Sequence, residues 1–287
     1  MPIAVIAFDF DPVLRLAEGV AIRWQTVALV AIVAAGLIVT GLTARRNGLR
    51  ADDLLFIAVA VVPGAVIGGR AGYVLMHLDY YAANTTAIAD PGQGSMELAL
   101  AIVGGLLSGA YVASLLGAPI DRWLQSAALP LLFVLGAGKL AMVLGGAGQG
   151  QPSGLSWATA YGGAGPWGSL APDVASHPAQ AYEGIITLGI LAVISVALVA
   201  GAIQVRDGRL FLAAMAAWAL GRAAVSLTWR DDVAIAGLSV GGLIAMVVGL
   251  GFGGVLVLRS RRRAGNVDRE PAEGDVGWAD PETRPRF

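Results

Sequence analysis

Seven stretches of about twenty residues in this chain are nearly unbroken runs of apolar side chains, and the polar residues gather between them. The runs are Val20–Ala44, Leu54–Leu78, Glu97–Leu116, Leu124–Gly146, Ala181–Ile203, Leu210–Trp229 and Ile235–Leu258. A helix of that length crosses a hydrocarbon core of about 30 Å. With no water there to satisfy backbone groups, a helix is the form such a run takes. The pattern predicts an all-α, polytopic integral membrane protein of about seven transmembrane helices. Cations mark the connections after the first, third, fifth and seventh runs: Arg45, Arg46 and Arg50, then Arg122, then Arg206 and Arg209, then Arg259, Arg261, Arg262 and Arg263. The segments 79–96 and 147–180 have none. Arginine-rich connections stay in the cytoplasm, so the expected N-terminus is outside and the C-terminus cytoplasmic. Residues 1–263 are expected to form one membrane domain. The Gly-, Pro- and Trp-rich stretch 147–180 reads as a small outside cap, and the polar, proline-containing segment 264–287 reads as a disordered cytoplasmic tail.

Composition sharpens this picture. The chain is 56% hydrophobic and only 14% charged, against roughly 25% charged residues in soluble domains. A net charge of -1 offers no basic surface for nucleic acid. The absence of cysteine and the presence of two histidines, His77 and His177, exclude disulfides, thiolate metal sites and a histidine-rich metal centre. No cofactor is implied. The opening MPIAVIAFDFDP lacks the basic start of a secretory signal. No internal repeat is evident, which argues against a channel or a transporter built on repeated halves.

Three cations interrupt the apolar runs: Arg70 in IGGRAGYVL, Lys139 in GAGKLAM, midway along its run, and Arg222 in LGRAAVS. Lys139 is the chain's only lysine. A charge in the bilayer core costs at least about 2.5–3.5 kcal/mol, so such residues face a cavity, a partner or a ligand. Two readings stand for Lys139 and Arg222. One is a joint site for a lipid phosphate; the other is pairing with Glu97 and Glu183, or snorkelling to the headgroups. For Arg70 a structural clamp is as good an account as a phosphate contact. A second concentration is SHPAQAYEGI, residues 176–185. His177, Gln180, Tyr182 and Glu183 there could form a polar wall for a headgroup. They could equally cap a helix, with Tyr182 at the membrane interface.

The order GGRAGYVL, GAGK, GQPSGLSWATAY, SHPAQAYE, LGRAAVS and WRDD resembles the prolipoprotein diacylglyceryl transferases, over roughly residues 22–258. The resemblance implies seven membrane helices with an outside N-terminus, in a bacterial inner membrane. It implies transfer of a diacylglyceryl group from phosphatidylglycerol to the lipobox cysteine thiol of a secreted precursor. The family's two phosphate-handling arginines fall on Lys139 and Arg222. Glu183 is the third residue expected to be catalytic. Arg70, Gly72, Tyr73, Gly104, Gly105, Gly150, His177, Gln180 and Tyr182 are expected at the substrate. The chain departs from the family at five functional positions, with Val103 for a histidine, Met142 for an asparagine, Ala147 and Ser226 for glutamates and Gln25 for a tyrosine. The alternative is a paralogue that binds anionic phospholipid without turnover.

Overall fold

A computed structural model describes residues 5–90, 94–163, 165–203 and 207–267. The chain opens with three short strands, β1 (Ile6–Asp9), β2 (Val13–Ala17) and β3 (Val20–Arg23), and enters α1 (Trp24–Arg46). Then come α2 (Ala51–Met76), a short α3 (Leu78–Ala83), α4 (Leu98–Leu115) and α5 (Ile120–Ala141). Strand β4 (Thr159–Gly162) precedes α6 (Ala179–Val199) and α7 (Arg209–Val225). The hairpin strands β5 (Val233–Ile235) and β6 (Leu238–Ser239) lead into α8 (Val240–Val267). Among the described residues, seven helices are long and apolar enough to cross a membrane. They coincide with the seven apolar runs to within a few residues at most ends. Ile67, Leu107 and Val193 stand outward and exposed, as side chains facing lipid do.

Two run boundaries are corrected. Residues 20–22 and 235–238 are apolar, but they belong to antiparallel hairpins. Short apolar segments do not distinguish strand from helix by periodicity; the turns decide. The first hairpin turns at Gly19 (φ 74°) and the second at Ala236 (φ 52°) and Gly237 (φ 82°). Consecutive positive φ values are those of a tight hairpin turn whose twist matches its strands.

The 147–180 cap is held from two directions. Strand β1 pairs in parallel with β4, tying the start of the chain to the cap. Tyr161 on β4 is fully buried, stacks on Phe8 at 5.2 Å and lies against Trp167 at 4.9 Å. The expected tail, 264–287, begins within α8, and residues 268–287 fall outside the described part of the chain.

Helix α7 is the axis of the bundle. Its Ala214, Met215, Trp218 and Ala219 are sealed inside, against α5, α6 and α8. Helices α2 and α4 form the tightest pair. A Cβ added to Gly104 would lie 2.1 Å from the Gly64 carbonyl oxygen, so this crossing requires glycine. Small residues at helix crossings let membrane helices gain close van der Waals contact where no hydrophobic driving force exists. Between this pair and α1–α5 lies an apolar crevice of about 520 Å³, bordered by Val33, Leu37, Val61, Leu106, Leu131 and Val134.

Candidate functional site

Four helix ends meet beneath the cap, and each delivers one charged side chain. Lys139 is in the last turn of α5 and Arg222 in the last turn of α7. Glu183 follows one turn after the start of α6, and Glu97 is the N-cap of α4. This corrects the expectation that Lys139 sits midway along its run. Helix α5 starts earlier, at Ile120, and tightens into a 3-10 turn at Met142–Gly145, so Lys139 falls near the end. Cations there also face the carbonyl ends of their helices, where they are favoured.

The four groups form one network. Lys139 Nζ is 3.0 Å from Glu183 Oε2. One terminal nitrogen of Arg222 donates to both Glu183 oxygens, at 2.6 and 2.8 Å, and the other reaches Glu97 Oε1 at 3.4 Å. Glu97 in turn accepts from the backbone N–H groups of Ala99 (2.8 Å) and Leu100 (2.7 Å). Of the two sequence readings, pairing with Glu97 and Glu183 is what the geometry contains. Both carboxylates come from other helices, which is why neither cation has a partner on its own element.

Backbone approach sets these distances. A Cβ on Gly136 of α5 would lie 2.8 Å from Leu188 and 3.2 Å from the Gly184 oxygen, both on α6. That close crossing carries Lys139 to Glu183. Glu97 is fixed by α2: its N–H donates to the Gly69 oxygen at 2.8 Å, and a Cβ on Gly72 would lie 2.6 Å from its own Cβ.

The network is formally balanced, two cations against two carboxylates, with the positive end of α4 added. Arg222 lies over the Trp229 ring at 4.6 Å, and its buried Nε–H has no acceptor among the described residues. A buried donor without a partner costs about 1–3 kcal/mol. Glu183 is gripped on both oxygens by the two cations. Lys139 is the most open member, with its side chain 15% exposed against 8% for Arg222 and 2% for Glu183. An added ligand would meet this cluster first at Lys139. The crevice begins beside the cluster, since Leu98, the residue after Glu97, is part of its wall.

Apart from Gly150, the other expected residues fall into three groups. Gly72, Gly104 and Gly105 are packing positions of the α2–α4 crossing. Arg70 is a clamp: it donates to the carbonyls of Ile88 (2.7 Å) and Ala87 (2.5 Å), with its guanidinium 5.2 Å from the Tyr81 ring centre. Tyr73 belongs to the same aromatic patch, 4.2 Å from the His77 ring and 6.4 Å from that of Tyr81. The polar wall of 176–185 is split. Gln180 turns inward and donates to the Tyr161 hydroxyl at 3.0 Å. Tyr182 turns the other way, accepting from Trp157 Nε1 at 2.7 Å, with His177 Nδ1 at 3.4 Å.

Gly150 joins the cap to the bundle. Its N–H donates to the His177 oxygen at 2.7 Å, and its own oxygen accepts from Arg230 Nε at 2.5 Å. Arg230 also donates to Ser176 Oγ at 2.8 Å. In the sequence Arg230 stood out only as part of the WRDD motif, and Gln149, which donates to the Thr159 oxygen at 2.6 Å inside the cap, did not stand out at all. The WRDD motif carried the signal for Arg230; a lone glutamine in a glycine-rich loop carries none. Burial drives the Tyr161 hydroxyl up to a pKa of about 12.

At the five departing positions the side chains do structural work. Val103 packs into the apolar core. Met142 ends α5, and Ser226 donates to its own helix at Ala223. Gln25 lies against Gly145, and Ala147 against Gly168.

The prolipoprotein diacylglyceryl transferase family model matches residues 12–258. The phosphatidylglycerol–prolipoprotein diacylglyceryl transferase of Trichormus variabilis is 26% identical over 92% of this chain and 95% of its own length. Its counterpart in Geobacter sulfurreducens is 28% identical over 89% of this chain and 97% of its own. That of Clostridioides difficile is 23% identical over 88% and 96%. A match from before the first helix to near the end of the seventh, at full relative length, fixes the assignment: the chain belongs to the prolipoprotein diacylglyceryl transferase family.

Proposed function

We propose that this protein moves a diacylglyceryl group from phosphatidylglycerol to the lipobox cysteine thiol of a secreted lipoprotein precursor. The reading places it in a bacterial inner membrane with its N-terminus and cap outside and its arginine-rich connections in the cytoplasm. Lys139 and Arg222 receive the lipid phosphate, and the crevice between α1–α5 and α2–α4 takes the acyl chains. The observation that carries it is a buried cluster with two cations, one with an unsatisfied N–H, next to an apolar crevice whose wall includes Leu98, the residue after Glu97. A phosphate there gains charge-assisted hydrogen bonds while its chains stay in an apolar medium. The leaving glycerol phosphate develops charge beside the same two cations, where preorganised positive groups lower a barrier most.

Two experiments test this. The gene should restore growth to a bacterium depleted of its own transferase. Failure to do so, with phosphatidylglycerol still bound, would leave a lipid-binding paralogue. In native mass spectrometry, Lys139→Met or Arg222→Met should weaken phosphatidylglycerol retention about tenfold or more, from the roughly 1.5–3 kcal/mol of a charged hydrogen bond. Neutral lipid should be retained as before; equal phosphatidylglycerol retention by all three proteins would exclude the phosphate site.

A further inference from the structure

We propose that the arginine-rich end of the apolar crevice is a second lipid site, which holds an anionic phospholipid of the leaflet opposite the cap. The site is independent of the chemistry at Lys139, at the other end of α5. Length is the first observation. The crevice wall runs from Val134 back to Ile120 on α5 and from Leu98 to Ala113 on α4. At a rise of about 1.5 Å per residue, those spans are about 21–22 Å long. One leaflet fills only half of a hydrocarbon core of about 30 Å. Chains hanging from the Lys139 end therefore fill the cap-side part of the crevice and leave the rest to the other leaflet.

The far end carries a polar group that no acyl chain satisfies. Two side chains of the crevice wall have polar atoms, Thr40 and Trp123. The Thr40 hydroxyl is spent on the Gly36 oxygen at 2.8 Å. Trp123 is only 6% exposed, and its indole N–H has no acceptor among the described residues. A buried donor in that state is costly. The methyl end of a chain does nothing for it, whereas a phosphate or ester oxygen accepts from it. Trp123 shares a face of α5 with Ala127, Pro130 and Val134, which are crevice wall too. Charge then selects the headgroup. Trp123 packs with Ala44 and Leu49, which brings the exposed Arg45, Arg46 and Arg50 to the same end as the exposed Arg122. The carboxylates there are Asp52 and Asp53 at the start of α2, with Asp53 4.0 Å from Arg50, and Asp121, which is taken by Arg259 at 2.6 Å. The four arginines outnumber the two carboxylates left, so an anionic headgroup is favoured. The pairs α1–α5 and α2–α4 are joined at this end by residues 47–50 and 116–119, and a headgroup held by Arg45, Arg46 and Arg122 ties the two pairs together.

The test uses the purified full chain in phosphatidylcholine nanodiscs doped with phosphatidylglycerol that carries a photoreactive headgroup. Cross-links are mapped by mass spectrometry. Labelling should concentrate on residues 43–50 and 120–126. Arg261 and Arg262, exposed near the end of α8, lie outside the crevice wall and report the general attraction of anionic lipid to arginine. Labelling at the crevice should exceed labelling there about tenfold or more, and Trp123→Phe should remove most of that excess, as the loss of a hydrogen bond to a charged group implies. Labelling near Lys139 should persist in Trp123→Phe, which shows that the variant is folded. Arg45→Gln combined with Arg46→Gln, both on the surface, should lower labelling at the crevice without touching its wall. Equal labelling at the crevice and at Arg261–Arg262, or no change in either variant, would overturn the second site. Labelling at the crevice without labelling near Lys139 would support this site and count against the phosphate site at Lys139.

Discussion

Glu183→Gln removes the one carboxylate that both cations share. In the native network its two oxygens take three contacts at 2.6–3.0 Å, and its side chain is 2% exposed. The amide keeps the shape and one acceptor oxygen, but Lys139 and Arg222 are left facing each other with only Glu97, 3.4 Å from Arg222. Removing one partner of a buried pair costs about 3–5 kcal/mol, because the remaining charge stays desolvated. Equilibrium unfolding in mixed micelles should show that loss. A lipid phosphate supplies the missing negative charge, so phosphatidylglycerol should stabilise the variant more than the wild type. At a lipid concentration of a hundred times Kd the gain is about 2.7 kcal/mol, over half the deficit. Diacylglycerol, with the same chains and no phosphate, should return none of it. A variant within about 1 kcal/mol of wild type, or one stabilised equally by the two lipids, would refute this account of the cluster.

Other outcomes follow from single positions. Gly104→Val should abolish folded yield, since even a Cβ would meet the Gly64 oxygen at 2.1 Å, whereas Gly189→Ala, with nothing within 4 Å, should be neutral or stabilise by about 0.5–1 kcal/mol. Ala236→Gly should raise thermal stability by roughly 1 kcal/mol, because Ala236 holds φ 52° and only glycine does so without strain. Tyr161 has a folded pKa of about 12 against about 10 unfolded. Its contribution is complete below pH 10 and is lost as pH rises from about 10 to 12; Tyr161→Phe should remove that alkaline limb while costing about 1 kcal/mol at neutral pH for the Gln180 bond.

The membrane helices were legible because lipid imposes a strong and simple rule on sequence, about twenty apolar residues at a time. The hairpins were not. Val20–Ile22 and Val233–Leu238 are as apolar as the helices they precede, and their strands are set by turns at Gly19 and at Ala236–Gly237. Lys139 and Arg222 stood out for the energy a buried cation costs. Their partners were visible only as candidates, since the contacts join α4, α5, α6 and α7 across separations such as the 125 residues between Glu97 and Arg222. Several motif residues bring helices together at close crossings. Gly104 in α4 and Gly72 beside Glu97 are examples. The depth of Lys139 depended on where α5 begins, and Pro119–Ile120 starts it a turn before the unbroken apolar run.

Diacylglyceryl transfer at the Lys139–Arg222 cluster would leave its product on the acceptor peptide. The most direct measurement is mass spectrometry of a cysteine lipobox peptide incubated with the purified protein and phosphatidylglycerol of defined chains. The account predicts a peptide heavier by one diacylglyceryl group, with one glycerol phosphate released per peptide modified and both lost in Arg222→Met. An unmodified peptide after prolonged incubation, with phosphatidylglycerol bound and the fold intact, would contradict it.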